Sequence, residues 1–306
     1  MWFLYAVVTL VLWAIADLFY KKGAKEEDKY SHLKTGVMVG LVMGIHALGY
    51  ILLNGVSFTF MDILKYLPVS FFYIISMVVG YKGLRYIELS ISSPIQNSSG
   101  VITSLLLFII FRESLGILNI IAIVLIGIGV TLLTILSNKK EETEENKQKL
   151  RKIKSENKFK FLQIAILFPL LYCILDGAGT FLDAIYLDKL EIIGEDPALI
   201  AYELTFFLYG MLTWLYLKLV KKESINIPKE KEKVLAAIFE TFGQFTYVFA
   251  MGANSTLSAP IVGSYCMGSV LLSRVFLKEK LNHKEYISIA VVFCGILLMG
   301  IAEGIG

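Results

Sequence analysis

Asp17, Asp176, Asp183, Glu203 and Glu240 fall within, or at the edges of, long stretches that are otherwise apolar. An ionisable side chain at mid-bilayer costs about 2.5–3.5 kcal/mol on insertion scales, so it turns toward a cavity or a partner. A carboxylate in such a place can bind a proton or a cation, and the two compete for it. No lysine or arginine lies comparably deep. Arg274 is within one turn of a helix end, where a long side chain reaches the interface.

Helical spacing sorts the polar residues into stripes, because positions three, four and seven apart share a face. Asp176, Thr180 and Asp183 fall at i, i+4 and i+7, and so do Glu240, Gln244 and Tyr247. His46, Tyr50 and Asn54 follow i, i+4, i+8, and Gln96, Ser99 and Thr103 form a fourth stripe with Asn97 beside it. The expectation is that the four stripes converge on one wet cavity. Trp13, Asp17, Glu203 and Tyr265 are further candidates for holding a substrate or a coupling proton.

Each candidate also has a plainer reading. Asp17 lies one turn from Lys21, and an interfacial ion pair between them is the favoured expectation. Asp183 and Glu203 lie near the outer ends of their helices, so exposure is as good a reading as a site. His46 reads equally as a packed core residue. Gln96 and Asn97 could serve only as helix-to-helix bonds, worth about 0.6–2 kcal/mol. Tyr73, Tyr247 and Tyr265 read first as packing residues, although tyrosine faces also hold cations.

Other chemistries find little support. The three histidines are far apart, and Cys173, Cys266 and Cys294 lack any C-x-x-C spacing, so no metal or cofactor is expected and the cysteines read as buried free thiols. No G-x-x-x-x-G-K-[ST] loop is present to hydrolyse a nucleotide. A net charge of +3 is too small to suggest nucleic acid.

The elements that must position these residues are membrane helices. Of 306 residues, 56% are hydrophobic and 18% charged, below the roughly 25% charged of soluble domains. The charges are clumped, leaving stretches longer than the roughly 18 residues that cross a hydrocarbon core. Ten spans are predicted, at 2–20, 33–54, 62–81, 88–110, 116–136, 160–186, 197–220, 233–252, 255–277 and 285–303, in an all-α polytopic membrane protein. Pro68, Pro94, Pro169 and Pro260 lie within them. Each frees a backbone carbonyl that a neighbour or a cavity must satisfy. The first span begins at Trp2 with no basic segment before it, so it reads as a retained helix. Residues 137–158, SNKKEETEENKQKLRKIKSENK, read as a solvated linker. They separate a first five-helix unit, 1–136, from a second, 159–306.

Basic residues set the orientation. Of the 29 lysines and arginines, 26 fall in or beside the odd-numbered loops, leaving only Lys65, Arg112 and Lys189 on the other side. The positive-inside rule then places the 137–158 linker in the cytoplasm and both termini outside a cell membrane.

Shifting the chain by 166 residues aligns 90–132 with 256–298 without a gap. Ser92, Pro94, Ile95 and Ser98 meet Ser258, Pro260, Ile261 and Ser264, while Glu113 and Leu115 meet Glu279 and Leu281, and Gly129 meets Gly295. Five spans per half is an odd number, so the second half enters the membrane upside down. Inverted repeats are the architecture of many secondary transporters.

Gly83-Leu84-Arg85-Tyr86, Ser93-Pro94, Arg112-Glu113-Ser114-Leu115 and Gly127-Ile128-Gly129, echoed by Ala259-Pro260, Lys278-Glu279-Lys280-Leu281 and Gly295, carry a family resemblance. In these motifs the chain resembles the EamA-type transporters of the drug/metabolite transporter superfamily over essentially its whole length. The resemblance implies a small-metabolite transporter, often an exporter, whose cavity is lined by helices 1–4 and 6–9 with helices 5 and 10 peripheral. Alanine at 259, and the lack of glycine before Glu113 and Glu279, depart from the family pattern, so no substrate subgroup carries over.

These observations lead to the expectation of a secondary active transporter for a small polar or amphipathic metabolite. The acidic excess points to a cationic substrate and to proton coupling. Its expected partners are that small molecule, membrane lipid and the proton, with the protein a monomer or homodimer. The Gly40-x-x-x-Gly44 spacing is read as internal packing rather than dimerisation. Two other classes stay open. A membrane-embedded lipid-modifying enzyme would need clustered catalytic groups near an interface. A sensor bundle would not need converging deep acids.

Overall fold

The computed structural model describes residues 1–25, 27–112, 115–141 and 167–305, and every regular element among them is helical. The first half holds α1 (Trp2–Gly23), α2 (Ser31–Asn54), α3 (Phe60–Gly83), α4 (Leu89–Phe111) and α5 (Ile117–Glu141). Then come α6 (Leu167–Ala184), extended by a π-turn at Ile185–Lys189, and α7 (Glu195–Leu219). The helical stretch Lys231–Gly263 follows, running on through Tyr265–Leu272 to a π-turn at Ser273–Leu277, and His283–Ile305 closes the chain. Most of the 137–158 linker lies outside the described residues, as do 160–166 of the sixth predicted span and Glu113 and Ser114.

Nine helical stretches among the described residues are long and apolar enough to cross a membrane. One of them, Ile227–Leu277, holds 51 residues, roughly 76 Å of helix at 1.5 Å per residue, over twice the ~30 Å of a hydrocarbon core. It cannot be one crossing, and it is not straight. Asn254 has φ −166° and ψ 88°, which breaks the helix. The Ser258 Oγ donates to the Ala250 carbonyl at 2.8 Å, whereas eight residues of unbroken helix span about 12 Å. The Asn254 side chain then accepts from Leu257 N at 3.1 Å, capping a new helix. We therefore number the limbs α8 (231–253) and α9 (255–277), and His283–Ile305 becomes α10.

The burial pattern is that of a membrane protein. Asp183, Glu203, Ser92 and Ser258 are wholly buried, while Leu52, Ile109, Ile174, Leu212 and Phe293 stand exposed on outer faces. Cys266 is buried and Cys173 half-buried, but Cys294 is exposed on the apolar face of α10, unlike the buried thiol expected there.

Three close seams relate the halves by a two-fold. In the α5–α10 seam, a side chain on Gly129 would meet Val292 and the Ser288 carbonyl, and one on Gly295 would meet Ile126 and the Ala122 carbonyl. Each of these is its counterpart under the 166-residue shift. Gly100 of α4 and Gly263 of α9 face each other, as do Gly40 of α2 and Gly210 of α7. Gly40 and Gly44 thus pack inside the chain, as the spacing predicted. The first residues of α4 and α9 are each held by a carboxylate from elsewhere. Glu279 accepts from Leu89 N and Ser90 N at 3.0 and 2.8 Å. Asp188 accepts from Ser255 N and Oγ at 2.8 and 2.6 Å. Both use the positive end of a helix, where carboxylates are stabilising. Pro260 removes the N–H that would bond the Thr256 carbonyl, and Ser104 Oγ supplies that bond at 2.8 Å.

Candidate functional site

Between the halves lies a chamber lined by Trp13 of α1, Tyr73 of α3, Asn97 and Ser99 of α4, and Tyr172, Asp176 and Thr180 of α6. Tyr202 of α7, Glu240, Gln244 and Tyr247 of α8, and Tyr265 of α9 complete its polar and aromatic lining. The space is narrow: about 40 Å³ is open to water centres, room for about three waters at roughly 10–15 Å³ each. Among the described residues, no lysine, arginine or histidine lines it. α5 and α10 contribute nothing to the lining, and neither does α2, contrary to the expectation for helices 1–4.

Two carboxylates face this space in different states. Asp176 accepts from Ser99 Oγ at 2.9 Å. Glu240 is buried, and its carboxylate meets no hydrogen-bond or ion-pair partner among the described residues; only its backbone carbonyl is used, by Trp13 Nε1 at 3.3 Å. One turn along, Gln244 Nε2 is buried and equally without a partner. Rings surround the pair. Trp13 stands 5.0 Å from Tyr247 and 5.7 Å from Tyr265 between centroids, and Tyr73 stands 5.7 Å from Tyr202. Tyr73 fixes the far side, bonding Tyr247 OH at 2.7 Å and Thr180 Oγ1 at 3.1 Å. Aromatic faces beside a carboxyl group that has no partner among the described residues suit the binding of a cation.

The sequence candidates divide into groups. Trp13, Asn97, Asp176, Thr180, Glu240, Gln244, Tyr247 and Tyr265 line the chamber. Asp17 does not, and the expected ion pair with Lys21 is corrected. The Asp17 carboxylate accepts from Ser93 and Ser269 Oγ, both at 2.7 Å, tying α1 to α4 and α9. Lys21 Nζ donates to the Leu84 and Ile87 carbonyls. Asp183 and Glu203, taken as exposed or functional with equal weight, are both fully buried. Asp183 accepts from the Tyr66 hydroxyl, closing the α3–α6 seam. The α2 stripe does not join the others. His46 bonds Glu203, Tyr50 donates to Asp196 at 2.8 Å, and Asn54 is exposed. Gln96 is buried behind the chamber wall, beside Gly80.

Tyr172 and Tyr202 escaped the sequence reading. Tyr172 extends the Asp176–Thr180 stripe by one turn at i−4 and was legible there. Tyr202 sits among Ile200, Ala201 and Glu203 with no pattern to single it out.

The architecture has known counterparts. A solved structure titled only "Crystal structure of protein" aligns with 98% of this chain and 96% of its own at a TM-score of 0.66 and 13% identity, a likeness of fold. Among curated proteins, none matches the chain. The EamA-like transporter family matches residues 1–135 and 163–301, which reach from α1 to α5 and from before α6 through most of α10. With ten helices among the described residues in two related halves, a chamber between them, and that match over nearly its whole length, the chain belongs to the EamA-like transporter family.

Proposed function

We propose that this membrane transporter carries a small cationic or amine-bearing metabolite outward by alternating access, exchanging it for protons. The observation that carries the reading is Glu240: a buried carboxylate without a partner among the described residues, opening on a chamber that no described lysine, arginine or histidine lines. Asp176 and the faces of Trp13, Tyr202 and Tyr265 complete a pocket in which a cation supplies the missing charge. The narrowness of the space favours a small substrate and a closed conformation. The outward direction rests on the family's habit, and the proton on the competition between protons and cations for the same oxygens. The Lys/Arg bias supports a linker inside the cell and termini outside.

Calorimetry on protein in nanodiscs tests it, with tetramethylammonium and ethylamine as probes. Wild-type protein should bind at least one of them, more weakly as the pH falls. The paired substitution Glu240→Gln, Asp176→Asn should weaken binding at least about ten-fold, in line with the cost of removing one partner of a buried charge pair. Absence of binding by the wild type, or unchanged binding by the double variant, overturns the cationic reading.

A further inference from the structure

Outside the chamber, one of the buried carboxylates is paired with a histidine. Glu203 of α7 is wholly buried, and both its oxygens lie 2.9 Å from Nδ1 of His46 on α2. His46 is the titratable group that bears on it; the α8 side chains against His46 are the rings of Phe242 and Phe245. Around Tyr50, the next residue along the same face of α2, stand Asp196 and, from α1, Tyr5.

The two ring nitrogens of His46 sit in different surroundings. Nδ1 is committed to Glu203. Nε2 meets no partner among the described residues and is not enclosed, in a side chain 22% exposed. Glu203, itself wholly buried, is therefore reached through the imidazole. Above His46, Tyr50 stacks at 6.0 Å and donates to Asp196 at the start of α7, forming a polar strip toward that end of the helix pair.

We propose that His46 and Glu203 form a second proton site, separate from the substrate chamber and additional to the carboxylates for which protons and cations compete there. The proposal rests on the transporter reading above. A proton arriving at Nε2 of the neutral Nδ1–H tautomer makes an imidazolium. Nδ1 then passes its proton to the Glu203 carboxylate, leaving a neutral carboxylic acid and a neutral imidazole protonated at Nε2. Imidazole is suited to this because both nitrogens exchange protons near neutral pH. The transfer discharges an ion pair that joins α2 to α7. Tyr202, next to Glu203 on α7, lines the chamber. Proton occupancy on one face of α7 is thereby connected to the substrate space on another.

Infrared difference spectroscopy of protein in nanodiscs during a pH jump reads this without a substrate. We expect a protonated-carboxyl band that disappears in Glu203→Gln. In His46→Gln, that band should stop responding within the time the wild type takes. If Glu203→Gln removes no titrating band, or His46→Gln leaves the response time unchanged, the proposal is wrong. Glu240→Gln in the same experiment separates the two readings, because loss of cation binding there leaves the Glu203 band in place. A wild type that binds neither cation but keeps a His46-dependent Glu203 band defeats the chamber reading alone.

Discussion

Deep acids do opposite things here, and their neighbours decide which. Asp17 spends one carboxylate oxygen on two serine hydroxyls from two other helices, so it is a structural junction. Glu240 meets no such neighbours among the described residues and faces open space, which is the observation the substrate proposal rests on. Replacing Asp17 by Ala removes the acceptor shared by two buried hydroxyls, leaving Ser93 Oγ only the Asn97 amide and Ser269 Oγ only the Tyr265 carbonyl, and should cost about 1–3 kcal/mol of stability. Asp17→Asn keeps an acceptor and should cost less. Unfolding midpoints in detergent would measure both. Equal losses in the two variants would mean that the charge, and not the acceptor, holds the junction.

At the scale of helices, glycines set how closely the halves meet. A methyl group on Gly100 would lie 2.7 Å from the Ala259 carbonyl and 2.9 Å from the Cα of Gly263, both backbone atoms that cannot swing aside. Gly100→Ala should therefore push α4 off α9 and destabilise the protein by about 1–3 kcal/mol. Gly49, on α2, has nothing within 4 Å of the same position. Gly49→Ala should be neutral or stabilising by up to about 1 kcal/mol through helix propensity alone. Thermal unfolding of the two variants side by side checks the contrast, and similar shifts would refute the seam. Asn254 is the other decisive point at this scale. Without its non-helical backbone, Ile227–Leu277 would be too long for the bilayer, and the count of crossings would be nine instead of ten.

Across the whole molecule, carboxylates hold the corresponding starts of α4 and α9 at opposite ends, although the two carboxylates are not counterparts in the repeat. Glu279 holds the start of α4, and Asp188 holds the start of α9. The inverted repeat requires these ends to lie on opposite membrane faces, which is what exposing one chamber to each side in turn demands. Orientation is testable directly. In protein with Cys173, Cys266 and Cys294 replaced, a single cysteine placed in the 137–158 segment should react with an impermeant thiol reagent only from the cytoplasmic side. Labelling of intact cells from outside would invert the topology.

The spans, the repeat and the stripes were legible in the chain because each is local. Apolar length sets a crossing, the 166-residue shift exposes the duplication, and residues four apart share a helical face wherever that helix goes. What local spacing leaves free is the rotation of each helix about its own axis, which only its neighbours fix. Packing Gly40 against Gly210 turns the polar stripe of α2 toward α7, so His46 meets Glu203, 157 residues away, and not the chamber. The same freedom sent Asp17 to Ser93 and Ser269 in place of Lys21. The sequence determined which side chains could act together on one helix. The tertiary structure decided which helices those faces met, because that depends on contacts between residues far apart in the chain.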